Sequence, residues 1–196
     1  MIKIYSISAI SLLFGMGLFW SGNSNALDNK SVVELLESKG VDYSEKKPNF
    51  DLAGVSAEAG EQLFHYGFAQ KPNGGKSPRQ SKHFVCTSCH NVEKEDPDLS
   101  VSDPQARLIY TNERGFPFLQ GTTMYGAVNR STYYNGDYEK KYGDLVEPAR
   151  TDIRGAIQLC ATECAQGREL KDWELESILA YLWTLELKIE DLGLTE

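Results

Sequence analysis

The five residues Cys86-Thr87-Ser88-Cys89-His90 form a C-x-x-C-H motif, and the expected fold depends on this stretch. The motif is typical of covalent attachment of a c-type haem, in which two thiols bond to the porphyrin and the following histidine ligates the iron. A zinc half-site is one alternative, but it needs a second Cys/His pair at matching spacing. A thioredoxin-like pair is another, but it would follow a buried strand, whereas polar residues precede Cys86. The motif therefore predicts one haem c, attached at Cys86 and Cys89, with His90 as the proximal iron ligand.

The N-terminus has the pattern of a secretory signal peptide. Lys3 precedes an apolar run over residues 4–20, and small residues lead up to Ala26, where cleavage is expected. The alternative is an uncleaved membrane anchor, since the run is at the short limit for a membrane span. Residues 1–26 are therefore predicted to be a signal peptide, with no stable membrane insertion after its removal. Haem attachment in bacteria occurs outside the cytoplasmic membrane, so the expected location is the periplasm.

The charge balance is acidic. The 196 residues include 20 Lys and Arg against 28 Asp and Glu, a net charge of −8 that becomes −9 once the signal peptide and Lys3 are removed. Such a charge argues against binding to nucleic acid or to an anionic membrane. The partners that we expect are redox proteins with a basic docking patch, and another cytochrome is one candidate.

The rest of the chain divides into two parts. Residues 27–54 form a polar N-terminal extension with one short amphipathic helix behind Ser31, and it either packs on the domain or forms a loose arm. Residues 55–190 are predicted to be a single mono-haem domain, because the sequence has no internal repeat and no second C-x-x-C-H motif.

Two helices are expected to frame this domain. The first begins at the capping residue Ser56 and runs to residue 66, and the second runs from its cap Asp172 to about Leu187. The second helix has one apolar stripe at three- and four-residue spacing, made of Leu175, Ile178, Leu179, Leu182 and Leu185.

The first helix resembles the N-terminal helix of class I cytochromes c, with Gly60 followed four residues later by Phe64. The second resembles their C-terminal helix, with Ala180-Tyr181-Leu182 near its middle. The resemblance implies that the glycine lets the two helices cross closely and that the aromatic ring packs at the contact. The expected fold class is therefore all-α, a cytochrome c fold of crossed N- and C-terminal helices around one haem. Long loops are inserted, the first over residues 67–85.

The sixth ligand of the iron decides the function. Met124 is the one methionine outside the signal region, and a thioether is a usual distal ligand, but it lies far ahead of the last helix. Cys160 and Cys164 occupy the region directly before that helix. Because free thiols in an exported protein normally oxidise, this pair is expected either to form a disulfide or to supply a thiolate to the iron. All three residues are candidates for the distal position.

The segment from Arg154 to Gly167 is similar to the ligand segment of thiosulfate dehydrogenases. It is also similar to that of SoxA, the catalytic cytochrome subunit of the thiosulfate-oxidising Sox complex. Those families hold the iron between the C-x-x-C-H histidine and a cysteine just ahead of the final helix, a position that Cys160 matches. Cys164 stands where the family often has serine, and the loop inserted before the haem motif is also a feature of the group. The resemblance covers residues 56–187 and implies a haem ligated by His90 and Cys160.

The expected function is that of a periplasmic mono-haem c-type cytochrome that transfers electrons. The resemblance implies oxidation of sulfur compounds, thiosulfate in particular, with Cys160 as the catalytic residue if the haem is sulfur-active. The alternative is a plain His90/Met124 electron carrier without substrate chemistry of its own, so whether the protein is an enzyme is left open. A gas-binding sensor with an open distal position is a third class. Four arginines are candidates for holding an anionic substrate, or are ordinary surface residues: Arg130, Arg150, Arg154 and Arg168.

Overall fold

The computed structural model describes residues 30–71, 73–95, 109, 112–113, 115, 121–133, 142–147 and 149–193. The predicted signal peptide, residues 1–26, lies outside these ranges. The described residues are rich in helix and contain no β-strand, only two isolated bridges, which agrees with the expected all-α class. No helix among them is both long enough and apolar enough to cross a membrane.

The elements follow one another in a simple order. Within the described ranges, the α-helices are α1 (Val32–Glu37), α2 (Ala57–Tyr66), α3 (Ile153–Leu159) and α4 (Asp172–Trp183). Short 3-10 turns lie at Ser44–Lys46, Cys86–Ser88, Ala127–Asn129, Gly143–Val146 and Ile189–Leu192. A π-helical turn, Cys160–Cys164, continues directly from α3.

Side-chain caps begin three of the helices. The hydroxyls of Ser31 and Ser56 and the carboxylate of Asp152 accept hydrogen bonds from the first free N–H groups of α1, α2 and α3. In α4, the prediction that Asp172 caps the helix was wrong, because Asp172 is its first helical residue. The carboxylate of Glu174 instead accepts a hydrogen bond from the N–H of Lys171 at 2.9 Å. The helix also ends at Trp183, short of the expected Leu187.

Helices α2 and α4 cross in close contact at Gly60. A Cβ atom on Gly60 would lie 1.8 Å from the carbonyl oxygen of Ser177, so only glycine allows this approach. Phe64 packs beside the crossing with its ring centroid 5.4 Å from that of Tyr181. The close crossing and its aromatic contact, both expected from the sequence, are therefore present.

The core is built around this crossing. Fully burying each large apolar side chain contributes about 1.5–3 kcal/mol. The buried cluster consists of Ala59, Leu63, Phe64, Ala69, Val128, Ile153, Ala161, Leu170, Ile178, Leu179, Tyr181 and Leu182. The predicted stripe of α4 faces this cluster, with three of its members buried in it and Leu175 and Leu185 partly buried against it.

The N-terminal extension packs on the domain and is not a loose arm. The N–H of Val32 donates to the carbonyl of Leu187 at 3.0 Å, and the N–H of Ile189 donates to the carbonyl of Lys30 at 3.0 Å. Further along, the indole N–H of Trp183 donates to the carbonyl of Lys46 at 2.6 Å. The two ends of the described chain are thus joined by backbone hydrogen bonds.

Candidate haem-attachment site

The C-x-x-C-H motif forms one tight turn after the loop that follows α2. Both the N–H of Cys89, at 3.1 Å, and that of His90, at 3.0 Å, donate to the carbonyl of Cys86. The hydroxyl of Ser88 accepts from the N–H of Val85 at 3.0 Å and closes the start of the turn. Two thiols and one imidazole are therefore presented by a single turn of chain, as covalent haem attachment requires.

The imidazole of His90 is held in one tautomer. Its Nδ1 lies 2.7 Å from the carbonyl oxygen of Thr122, and because a carbonyl can only accept, Nδ1 carries the proton. In the neutral ring, Nε2 then keeps the lone pair that a metal ligand needs. Gly121 makes this contact possible, since a Cβ there would lie 2.3 Å from Cε1 of the His90 ring.

A second strip of backbone runs beside the motif and fixes it. The N–H of Gly121 donates to the carbonyl of Cys89 at 2.7 Å, and the N–H of Met124 donates to the carbonyl of Asn91 at 2.9 Å. Arg130 holds the strip from the other side, donating from Nη2 to the carbonyl of Thr123 at 2.6 Å. Met124 is therefore part of the strip bonded to the Nδ1 edge of His90, and its side chain packs partly buried against the core.

The structure brings all four cysteines of the chain into one neighbourhood. The pKa of the Cys160 thiol is raised well above its usual range by a hydrogen bond with Cys164, by burial, and by the nearby thiols of Cys164, Cys86 and Cys89. Burial raises the pKa of Cys86 to about 12, and burial together with Cys164 raises the pKa of Cys89. All four lie in the described part of the chain, and none of them forms a disulfide.

The π-helical turn sets the pair Cys160 and Cys164 together. The widened turn is closed by a hydrogen bond from the N–H of Ala165 to the carbonyl of Cys160 at 2.9 Å. The hydroxyl of Tyr142 donates to Sγ of Cys164 at 3.7 Å. One thiol of the pair therefore has a tyrosine hydroxyl against it, a contact that sequence analysis did not predict.

The segment that leads to the haem motif also holds the end of this turn. The hydroxyl of Ser81 donates to the carbonyl of Ala165 at 2.7 Å, and the N–H of Arg168 donates to the carbonyl of Gln80 at 2.9 Å. Gly167 lies so close that a Cβ would be 2.6 Å from the oxygen of Gln80. The segment before Cys86 and the turn after Cys164 are thus joined directly by hydrogen bonds.

The four candidate arginines bind groups of the protein itself. Arg154 contacts the carboxylate of Glu176 at 2.6 and 2.9 Å, and Arg168 contacts the fully buried carboxylate of Glu174 at 2.7 and 2.6 Å. Arg130 pairs with backbone carbonyls, as described above. The fourth, Arg150, forms an ion pair with Glu147 at 3.3 Å.

The residues of this site fit a c-type haem. Cys86 and Cys89 would attach the group, His90 presents a nitrogen in the correct tautomer, and the thiols of Cys160 and Cys164 lie close by as further donors. Within the described ranges, no three His, Cys, Asp or Glu side chains converge as the ligands of a bare metal ion. The histidines outside the motif lie elsewhere: His65 Nε2 is 3.0 Å from the hydroxyl of Tyr181, and His83 is exposed beside Phe84.

Comparison with known protein families matches no family, and comparisons with curated proteins and with solved structures give no significant match.

Proposed function

We propose that the chain is a periplasmic mono-haem c-type cytochrome that oxidises reduced sulfur compounds, thiosulfate in particular, at a haem ligated by His90 and Cys160. The observation that carries the proposal is the proximity of Cys160 and Cys164 to the attachment residues Cys86 and Cys89. The close crossing of α2 and α4 at Gly60 supports a cytochrome c fold, as does the buried ring of Phe64 beside it.

The hydrogen bonding around His90 favours a cysteine over Met124 as the sixth ligand. The iron would lie beyond Nε2, whereas Met124 belongs to the strip bonded to the opposite, Nδ1 edge of the ring. Its thioether already packs against the core. Cys160 lies at the end of α3 with its thiol near those of the motif, so it could serve as the second iron ligand.

Each residue of the site then has a definite task. A bound haem supplies one-electron exchange. Cys86 and Cys89 hold it covalently, and His90 is oriented by the carbonyl of Thr122. Burial and the neighbouring thiols raise the pKa of Cys160 and hold the thiol protonated, and a coordinating cation reverses this preference. Cys164 is hydrogen-bonded to Cys160 and accepts from the hydroxyl of Tyr142, so its own S–H could donate a hydrogen bond to a Cys160 thiolate.

A second candidate function, electron transfer without substrate chemistry, is favoured by the arginines. An anionic substrate such as thiosulfate is best held by a cation at the haem. Arg154 and Arg168, however, are engaged with buried glutamates, and Arg130 with backbone carbonyls. A plain carrier needs no anion site.

Low-temperature electron paramagnetic resonance of the haem-loaded protein tests the ligand. The wild type should give a narrow low-spin thiolate signal that disappears in Cys160→Ala and persists in Met124→Leu. The reverse pattern, with the weak far-red band of methionine ligation in the wild type, would contradict thiolate ligation and favour the plain carrier.

The substrate is tested separately. Thiosulfate should reduce the ferric haem of the wild type and of Met124→Leu, and it should not reduce that of Cys160→Ala. A thiolate-ligated haem that thiosulfate neither reduces nor perturbs would leave the ligation standing and contradict the sulfur chemistry.

A further inference from the structure

The region around the attachment motif has the opposite charge to the rest of the chain. Residues 62–92 include four basic residues and no aspartate or glutamate, although the whole chain has 28 acidic residues among 196. Because the chain has a net charge of −8, the residues outside this region carry −12 (−8 minus +4). The four basic residues are Lys71, Lys76, Arg79 and Lys82.

The structure makes a surface of this segment by folding it back on the end of α2. The N–H of Ser77 donates to the carbonyl of Ala69 at 2.8 Å, and the N–H of Gln80 donates to the carbonyl of Gly67 at 2.8 Å. The side chains of Ser77, Gln80 and Ser81 are buried. The basic residues next to these buried side chains, Lys76, Arg79 and Lys82, are all exposed.

Aromatic rings are exposed along the same segment. Tyr66, at the end of α2, is 61% exposed, and Phe84, two residues before Cys86, is 40% exposed. Phe68 lies between Tyr66 and Lys76: the centroid of its ring is 6.4 Å from that of Tyr66 and 4.6 Å from Nζ of Lys76. We name the surface formed by Tyr66, Phe68, Lys76, Arg79, Lys82 and Phe84 the basic face.

We propose that the basic face is the docking site of an acidic redox protein, so that electrons leave or enter through the end of the molecule that carries Cys86. The proposal rests on the proposed function, since only an electron-transfer protein needs a partner at this place. Tyrosine, phenylalanine and arginine are the residues enriched in protein interfaces. The surrounding cations would steer a partner of opposite charge and orient it on contact.

Two other occupants fit this surface less well. A small anion would be held by cations gathered in a pocket, whereas Lys76, Arg79 and Lys82 are spread over an exposed surface. An anionic membrane is a wide surface that would also face the acidic residues beyond the basic face, whereas a small protein can contact the face alone. The net charge alone predicted a partner with a basic patch, but the local charge at the haem motif favours a partner with an acidic one.

The test compares two variants with the same change in net charge. Lys76→Glu/Lys82→Glu alters the basic face, and Lys30→Glu/Lys39→Glu alters two exposed lysines of the N-terminal extension. The probe is a flavodoxin, a small acidic redox protein, titrated into haem-loaded protein and followed by calorimetry. The ionic strengths are about 10 mM and about 0.5 M, between which the Debye length falls from about 30 Å to a few ångström. Circular dichroism melting establishes that both variants are folded.

We expect the wild type to bind flavodoxin at low ionic strength and not at high ionic strength. The face variant, Lys76→Glu/Lys82→Glu, should bind about tenfold more weakly, and the control, Lys30→Glu/Lys39→Glu, should lose less than twofold in affinity. Absence of binding by the wild type at low ionic strength, or equal losses in both variants, would overturn the proposal. Two further results would also overturn it. One is that the wild type binds phosphatidylserine vesicles and the face variant does not; the other is that the wild type self-associates in sedimentation experiments and the face variant does not.

The outcome is independent of the proposed sulfur chemistry. Calorimetry measures docking without electron transfer and without thiosulfate, so a protein that fails the thiosulfate test can still dock. Conversely, loss of docking in the face variant should leave the paramagnetic resonance signal of the haem unchanged.

Discussion

Gly121 lies against the ring of His90 with no room for a side chain. A Cβ would be 2.3 Å from Cε1 and 2.4 Å from Nδ1, so Gly121→Ala must push the imidazole away from the carbonyl of Thr122. We expect less haem to be retained and altered low-spin g-values in the protein that is loaded. The control is Gly75→Ala, where the nearest atom would be 3.8 Å away. Unchanged g-values in Gly121→Ala would show that His90 is not held in this way.

Glu176 connects acid sensitivity to the fold. Burial alone would raise its pKa, but hydrogen bonds from Arg154 and from the N–H of Asn49, together with the charge of Arg154, outweigh burial and lower the pKa. A carboxylate with a lowered pKa stabilises the fold above its unfolded-state value of about 4.3, and this contribution is lost as the pH falls through the folded value.

The corresponding variant is Glu176→Gln, which should lose about 2 kcal/mol of unfolding free energy at pH 7, the size of a hydrogen bond to a charged group. Because the wild type gives up the same contribution in acid, the difference between the two proteins should shrink below about pH 4. Chemical denaturation at several pH values measures both, with the exposed Glu169→Gln as the control. A difference that stays constant down to pH 3 would contradict the role of this carboxylate.

The roles of individual residues were predictable from the sequence where the residues belong to the C-x-x-C-H motif. The motif predicts the two thiols and His90, but not the tautomer of the ring, since Thr122 lies 32 residues further along the chain. The buried ion pairs were missed for a similar reason: a glutamate near the start of a helix looks solvated until its arginine is located in space.

Gly60 tests how tightly the crossing of α2 and α4 is specified. In Gly60→Ala the new methyl group would meet a backbone carbonyl at 1.8 Å, which no rotamer change can relieve. The helices must then separate, and we expect a loss of about 3 kcal/mol, at the upper end of the usual cost of overpacking. Denaturant unfolding measures the loss against Gly75→Ala, which should change stability little. Equal stabilities would mean that the helices do not approach this closely.

Helices were predicted well from their apolar spacing and their caps, and less well at their ends. Ser31 and Ser56 both begin helices as expected, because a capping side chain acts on its own local backbone. The end of α4 is different: the N–H groups of Thr184 and Leu185 bond to carbonyls three residues back, and the carbonyl of Leu185 accepts from the N–H of Gly126 at 2.7 Å, a tertiary contact that spacing does not reveal. The π-helical turn at Cys160 has no local signature that spacing could have revealed.

The N-terminal extension is integral to the protein. It buries Val33 and Tyr43, and Lys46 donates from Nζ to the carbonyl of Arg130 at 2.6 Å. Removing residues 27–49 should therefore reduce stability by about 4 kcal/mol, since each buried side chain contributes about 1.5–3 kcal/mol. For a chain of this size the melting temperature should fall on the order of 10 °C.

Thermal melting of the shortened, haem-loaded protein measures this change. The matched control is Lys39→Glu, which alters the exposed surface of the same extension without touching its buried contacts. An unchanged melting temperature in the shortened protein would mean that the extension only covers a domain that is already complete. Composition alone could not decide this, because the extension looks polar and carries its few buried contacts at separated positions.

The loop ahead of the haem motif also bears on how such chains vary through evolution. Residues 73–75 are exposed, so insertions and deletions there disturb no buried side chain. Ser77, Gln80 and Ser81 are buried, and this stretch is hydrogen-bonded to the residues just after α2 on one side and to the turn after Cys164 on the other. Homologous chains should therefore differ in length before residue 77 and keep their length from there to Cys86. A one-residue shift in that second part would move Cys86 and Cys89 relative to Cys160 and Cys164.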